Sequence, residues 1–278
     1  MQYKIIADSC CDLNEELNDE HEIGIVPLTI HVGSNTYVDN EELDTKELLA
    51  DMSSSEHAPT TASPSPEAFM KEYRGNDHIF VVTLSSALSS TYNHAVLAKN
   101  MILEEVEKKF IHVFDSLSAS VGETLVSIKL SELIKQNLDI SSIIHRTNEY
   151  IKNMKTLFIL ESLDNLIKAG RLSLLKGKLA SLLSIKPIMK GNEKGEIEMV
   201  ERVRGSKKAF SRLLDLIGEQ GERLEEKILG IAHCNAPKKA LQFKTEVENR
   251  YNFRDIVIVE TSGISTVYAN DGGLIIAF

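Results

Sequence analysis

Three places in the first half of the chain set carboxylates and hydroxyls directly after a short apolar run. They are Asp8-Ser9, Ser85-Ser86 with Ser89-Ser90-Thr91 close behind, and Asp115-Ser116. If each run is a strand of an open parallel sheet, these residues rim the crevice at the carboxyl ends of the strands, where the following helix N-termini offer backbone N–H groups. Such a crevice suits an anion. Ser, Thr and Asp at these junctions are also ordinary helix N-caps, so each junction taken singly supports either reading. A further hydroxyl-rich segment, Thr60-Thr61-Ala62-Ser63-Pro64-Ser65, reads as a loop that ends in a helix start. Arg171, in Lys168-Ala169-Gly170-Arg171-Leu172-Ser173, stands just past a helix end. Its guanidinium either points inward as a bidentate carboxylate ligand or lies on the surface.

Several common chemistries lack their residues. The chain has no G-x-x-x-x-G-K-[ST] phosphate loop, no G-x-G-x-x-G, no G-x-S-x-G elbow and no H-E-x-x-H. Its 8 histidines are scattered without metal-ligand spacing and read as structural or exposed, so no metal ligand and no cofactor is expected. Serine-dependent acyl hydrolysis through Ser85, Ser86 or Ser89 needs an adjacent base. The nearest histidine in sequence, His94, falls inside an expected helix with no visible third partner.

The elements that must position these residues alternate. Tyr3–Ala7, Ile79–Leu84 and Ile111–Phe114 read as strands, and Thr45–Met52, Pro66–Tyr73 and Thr91–Lys109 as amphipathic helices, the second opened by Ser65-Pro66. Strand, crossover helix and strand in succession predict a parallel sheet. From about Tyr150 the texture changes. Thr156–Leu160 reads as a strand, Leu163–Ala169 as a short helix closed by a left-handed Gly170, and Leu174–Leu183 as a second helix. Ile185–Met189 and Ile197–Val203 flank the turn Gly191-Asn192-Glu193-Lys194-Gly195. Helices over Lys207–Ile217 and Pro237–Asn249 then alternate with strands at Lys227–Ala232, Ile256–Glu260 and Gly273–Phe278. The expected fold is α/β, with an N-terminal parallel-sheet domain at 1–155 and a C-terminal mixed-sheet domain at 156–278, a division that a length of 278 residues accommodates.

Composition narrows the partners. Hydrophobic residues at 42% and charged residues at 26% are globular values, and the formal net charge of −10 repels phosphate backbones and anionic membrane surfaces. Nucleic acid is therefore not an expected partner. A local basic stretch, Lys186–Lys208, reads either as a solvated face or as a docking patch through Arg202, Arg204 and Lys207. Apolar runs fall far short of the roughly 18 residues of a membrane span. Three cysteines, no disulfide pattern and no signal-like start point to the cytoplasm.

The chain resembles the DegV family, whose characterised members are fatty-acid-binding proteins, among them the FakB subunits of bacterial fatty acid kinase. The resemblance runs end to end. It rests on Ile6-Ala7-Asp8-Ser9-Cys10-Cys11-Asp12-Leu13, Ile25-Val26-Pro27-Leu28, Thr61-Ala62-Ser63-Pro64-Ser65, and Ser85-Ser86-Ala87-Leu88-Ser89-Ser90-Thr91-Tyr92. It continues through Asp115-Ser116-Leu117-Ser118-Ala119-Ser120, Lys168 to Ser173, Ile185-Lys186-Pro187-Ile188 and Arg204-Gly205-Ser206-Lys207-Lys208-Ala209. It implies a long-chain fatty acid held between the two domains, its carboxylate bound by Thr61, Ser89, the backbone at Ser90, and Arg171. It also implies that a separate kinase phosphorylates the bound carboxylate, so that the chain itself is a carrier without catalytic residues. Three positions depart from the family pattern. Ser90 stands where glycine is usual, Ser63 where glutamine is usual, and Tyr268 where a histidine often faces the ligand head. A phenol donates one hydrogen bond but does not become a cation near neutral pH.

Overall fold

The computed structural model describes residues 3–106, 108–172 and 185–278. In chain order the first part runs β1 (Lys4–Asp8), α1 (Glu15–His21), β2 (Ile23–Val26), β3 (Thr29–Val32), β4 (Asn35–Val38), α2 (Thr45–Ser54) and β5 (Thr60–Ala62). It continues with α3 (Pro66–Tyr73), β6 (His78–Thr83), α4 (Thr91–Glu105), β7 (Phe110–Asp115), α5 (Val121–Lys135) and α6 (Ile140–Asn153). The second part has β8 (Thr156–Ile159), α7 (Asp164–Lys168), β9 (Ile185–Gly191), β10 (Ile197–Arg204), α8 (Ser206–Gln220) and β11 (Ile228–His233). It closes with α9 (Pro237–Glu248), β12 (Asp255–Glu260), α10 (Gly263–Ala269) and β13 (Leu274–Ala277).

The early strands form a parallel sheet of order β2-β1-β6-β7. The later ones form a mixed sheet of order β10-β9-β8-β13-β11-β12, antiparallel except for the β11–β12 pair. This is the α/β architecture that the alternation of apolar runs and amphipathic stretches predicts. A third, antiparallel sheet, β4-β3-β5, was not expected. Thr60-Thr61-Ala62 is the strand β5 rather than a loop, because its backbone pairs with Thr29, Ile30 and His31 of β3. The helix expected at Leu174–Leu183 lies outside the described residues. Gly170 takes φ +80° at the end of α7, as its place in the sequence requires.

The two large sheets share one helix. On α5, Val121, Leu125 and Ile128 pack into the cluster built on the mixed sheet, while Val126, Leu130 and Leu133 pack into the cluster under the parallel sheet. A helix covered on both sides is apolar nearly all round, so it lacks the amphipathic stripe by which helices are read from sequence. Glycine at 230 on β11 allows the close approach, because a Cβ there would collide with Val121 and press on Leu125. The carboxyl ends of β1, β6 and β7, the first turn of α5, the β9–β10 hairpin and α10 are thereby gathered at one place.

Candidate functional site

Between the two large sheets lies a cavity with about 870 Å³ of empty space including its mouth, of which the centre of a water-sized sphere reaches only about 110 Å³. The wall is largely apolar, with Leu28, Leu84, Leu88, Phe158, Leu160 and Ile275 among its residues. Thr61, Ser89, Arg171 and Tyr268 also line it. Four of the five residues nominated from sequence therefore meet, although they come from β5, the loop before α4, the end of α7, and α10. The fifth, Ser90, lines an adjoining surface groove that shares Leu88, Ser89, Arg171 and Ile197 with the cavity.

The polar groups hold one another in defined ways. Thr61 Oγ1 and Tyr268 Oη are 2.7 Å apart and hydrogen-bonded. Ser89 Oγ is bonded to Thr91 Oγ1 at 2.8 Å, and Ser90 Oγ to Ser63 Oγ at 2.8 Å. Ser63 is thus paired with the Ser90 that lines the groove. Arg171 donates from Nε to the Leu88 carbonyl at 3.0 Å and from Nη1 to the Ala169 carbonyl at 2.7 Å. Nη2 has no hydrogen bond among the described residues, so the guanidinium keeps donor capacity for a ligand. Those two carbonyls fix its direction, resolving in part the choice between an inward and a surface arginine: the side chain is half-buried in the cavity wall.

The junction residues do other work than helix capping. Asp8 Oδ1 accepts from the Cys10 N–H at 2.9 Å and Oδ2 from the Leu84 N–H at 2.8 Å, which ties the end of β1 to the end of β6. Burial nevertheless pushes the Asp8 carboxyl up to about 7 against those two bonds. Asp115 Oδ1 accepts from the Ser86 and Leu117 N–H groups, both at 3.1 Å. Ser85 Oγ donates to the Gly195 carbonyl at 2.8 Å, pinning the β9–β10 hairpin against the parallel sheet. Gly195 stands at φ +74°, and a Cβ there would collide with that hydroxyl.

Among the described residues no histidine is hydrogen-bonded to Ser85, Ser86 or Ser89. His94 Nδ1 is 2.8 Å from the Pro64 carbonyl and 3.2 Å from Ser63 Oγ.

Sequence reasoning missed the groups that aim α10. Asp39 accepts from the Gly263 and Ile264 N–H groups at 2.6 and 2.9 Å, covering the start of the helix that carries Tyr268. Asp12 accepts from Ser262 N–H at 2.8 Å and from Ser262 Oγ at 2.6 Å, and its other oxygen accepts from Ser120 Oγ at 2.5 Å. Burial raises Asp12 to about 6, these hydroxyls and the amide opposing it. Nothing local marks either aspartate, because their partners lie more than 220 residues away for Asp39 and 250 for the Asp12–Ser262 pair.

The fold and the cavity define a class: α/β proteins with a largely apolar cavity between two large sheets, lined also by hydroxyls and an arginine. The chain belongs to the DegV family, whose model, described as an uncharacterised protein family, matches residues 2–278. A DegV domain-containing protein of Streptococcus pyogenes serotype M1 is 38% identical over 280 residues, covering 100% of this chain and 99% of the relative. The solved structure of a DegV family protein from Ruminococcus gnavus, described with vaccenic acid, is 41% identical with a TM-score of 0.95, over 99% of each chain. The Streptococcus pneumoniae fatty acid kinase B3 protein, loaded with linoleic acid, is 35% identical with a TM-score of 0.91, over 100% of this chain and 99% of that one.

Proposed function

We propose that this chain binds one long-chain fatty acid in the channel between its sheets and presents the carboxylate to a separate kinase for acyl phosphate formation. The observation that carries the reading is one largely apolar cavity whose lining also includes Arg171 and the hydroxyls of Thr61, Ser89 and Tyr268. Relatives at 35–41% identity hold linoleic and vaccenic acid in the same fold. Burying about fifteen methylenes at roughly 0.8 kcal/mol each is worth on the order of 12 kcal/mol before the entropy of binding is subtracted, so the tail can supply the affinity. The head group then needs orientation and full hydrogen bonding, since a carboxylate left unpaired in the channel would be strongly disfavoured. Thr61, Ser89, the Ser90 N–H, Arg171 and Tyr268 are assigned that role. Tyr268 serves there as a hydroxyl donor.

No residue of the chain is assigned a catalytic role, and no cofactor is required. The domain division falls at 155/156, between the last strand of the parallel sheet and the first of the mixed one. The three cysteines are unpaired and buried, which suits the reducing cytoplasm. For the kinase, the exposed Arg202, Arg204 and Lys207 form the docking patch: among the described residues they make no ion pair, whereas Lys186 and Lys190 are already paired with Glu161 and Glu198.

Solvent extraction of the protein purified from a bacterial host, followed by mass spectrometry, tests the ligand. Near-stoichiometric long-chain fatty acid is expected, and a chain that is both empty and unable to take up added fatty acid would refute the carrier reading. Charge reversal at Arg202, Arg204 and Lys207 should abolish acyl phosphate formation with lipid retained. Unchanged turnover would remove those residues from the docking surface.

A further inference from the structure

Directly behind the cavity wall three buried groups face one another. Asp8 at the end of β1, Cys10 two residues further on, and Glu123 in the first turn of α5 each bring one ligand atom to within 4.8 Å of the other two. Cys10 also lines the cavity. Both Asp8 oxygens accept backbone N–H bonds, at 2.9 Å from Cys10 and 2.8 Å from Leu84, and each keeps a free lone pair. Glu123 differs. It is fully buried, and among the described residues neither of its carboxyl oxygens has a hydrogen-bond partner.

Neither protonation state of Glu123 is fully satisfied by the described residues. Ionised, it faces a second carboxylate with only the Asp8 N–H near enough to favour its charge; neutral, its O–H has no acceptor at hydrogen-bond distance among the described residues. A water molecule would meet the hydrogen-bonding need but leave the repulsion between the two carboxyl groups uncompensated. A divalent cation meets both, and next to such a charge the usual tendency of buried acids to stay protonated is reversed. The thiol decides the kind of cation: sulfur ligands favour zinc-like ions over magnesium or calcium, which take oxygen.

We infer that Asp8, Cys10 and Glu123 form a buried site for a zinc-class divalent ion, clamping the end of β1 to the first turn of α5. Tetrahedral zinc with bonds of about 2.0–2.3 Å needs its ligand atoms roughly 3.5 Å apart, so groups within 4.8 Å of one another must close in by at most about 1.3 Å. Asp12, although near, is already occupied by Ser120 and Ser262 and contributes charge rather than a ligand. The clamp joins the parallel sheet to the one helix that both large sheets share, so the ion would hold the cavity wall in place without touching a bound ligand's chemistry. No histidine takes part, which is why histidine spacing gives no sign of the site. The inference is independent of what fills the channel.

The test uses the full chain purified from cells grown with zinc, its metal content measured by inductively coupled plasma mass spectrometry. After chelation the protein is refilled with cobalt(II) and its near-ultraviolet thiolate-to-cobalt absorption is recorded. One zinc per chain, a cobalt band in the wild type, and loss of both in Glu123→Gln and Cys10→Ser are expected. Chelation should also lower the unfolding temperature of the wild type and leave that of Glu123→Gln unchanged. Absence of metal together with absence of the cobalt band overturns the inference, as does metal retained equally in both variants. If Cys10→Ser fails to fold, Glu123→Gln decides alone. A metal-free Glu123→Gln protein that is more stable than the metal-free wild type, with no zinc bound by the latter on refilling, would show a merely protonated acid.

Discussion

Replacing Arg171 with alanine is the perturbation that most directly separates head-group recognition from tail burial. In the structure the guanidinium donates from Nε and Nη1 to the Leu88 and Ala169 carbonyls, while Nη2 has no hydrogen bond among the described residues and is the donor proposed for the ligand. A hydrogen bond to a charged group is worth about 1.5–3 kcal/mol, so losing one such contact to a carboxylate should weaken fatty acid binding roughly 10- to 150-fold. Both carbonyls lie at a half-exposed wall where water can replace the guanidinium, so the fold itself should lose little. The assay is displacement of a fluorescent fatty acid from delipidated protein, repeated over a series of saturated chain lengths. Each added methylene should strengthen binding by the same factor in variant and wild type, because the tail's surroundings are untouched, while the whole series shifts to weaker affinity. Arg171→Lys should recover part of the loss through its charge but not all, lacking the planar fork held by the two carbonyls. Affinity within threefold of wild type across the series would refute the assignment of Arg171 to the carboxylate.

Asp39→Ala removes the acceptor for the Gly263 and Ile264 N–H groups; a loss of about 1–2 kcal/mol in urea unfolding is expected. Because α10 carries Tyr268, affinity should also fall, and unaltered binding with lowered stability would show that α10 is aimed by packing alone. Ile275→Phe narrows the channel from its β13 wall and should shift the extracted acids toward shorter chains; an unchanged lipid profile would place the tail elsewhere. His21 is buried on α1 with Nδ1 at 3.0 Å from Ser131 Oγ, and burial holds its pKa below 6.5, with Glu20 opposing. The folded state therefore binds its proton less readily than the unfolded chain. Stability from this group is intact above about pH 6.5 and falls as pH drops below it, down to the folded-state pKa. Denaturation from pH 8 to 5 should show that loss in the wild type and a smaller one in His21→Gln; parallel profiles would contradict it.

The amino-acid sequence by itself determined the strands and amphipathic helices that meet solvent on one side. Pro66–Tyr73 was legible to the residue, because Ser65 caps it, Pro66 opens it and Phe69, Met70 and Tyr73 fall on one face. The left-handed Gly170 was legible for a similar reason, since only the local backbone decides it. The set Thr61, Ser89, Arg171 and Tyr268 came from resemblance, not from spacing, and its convergence on one cavity is a property of the fold alone. Tertiary structure decided what depends on partners distant in sequence. The helix α5 is buried on both sides and carries no stripe; β5 looks like a loop until β3 pairs with it. Asp8 reads as a helix cap or a crevice-rim residue and nothing local marks Asp12, Asp39 or Glu123, yet each is buried. Local propensity acts over a few residues, whereas desolvation and hydrogen-bond satisfaction of a buried charge depend on whatever the chain brings back beside it, and periodicity carries no record of that encounter.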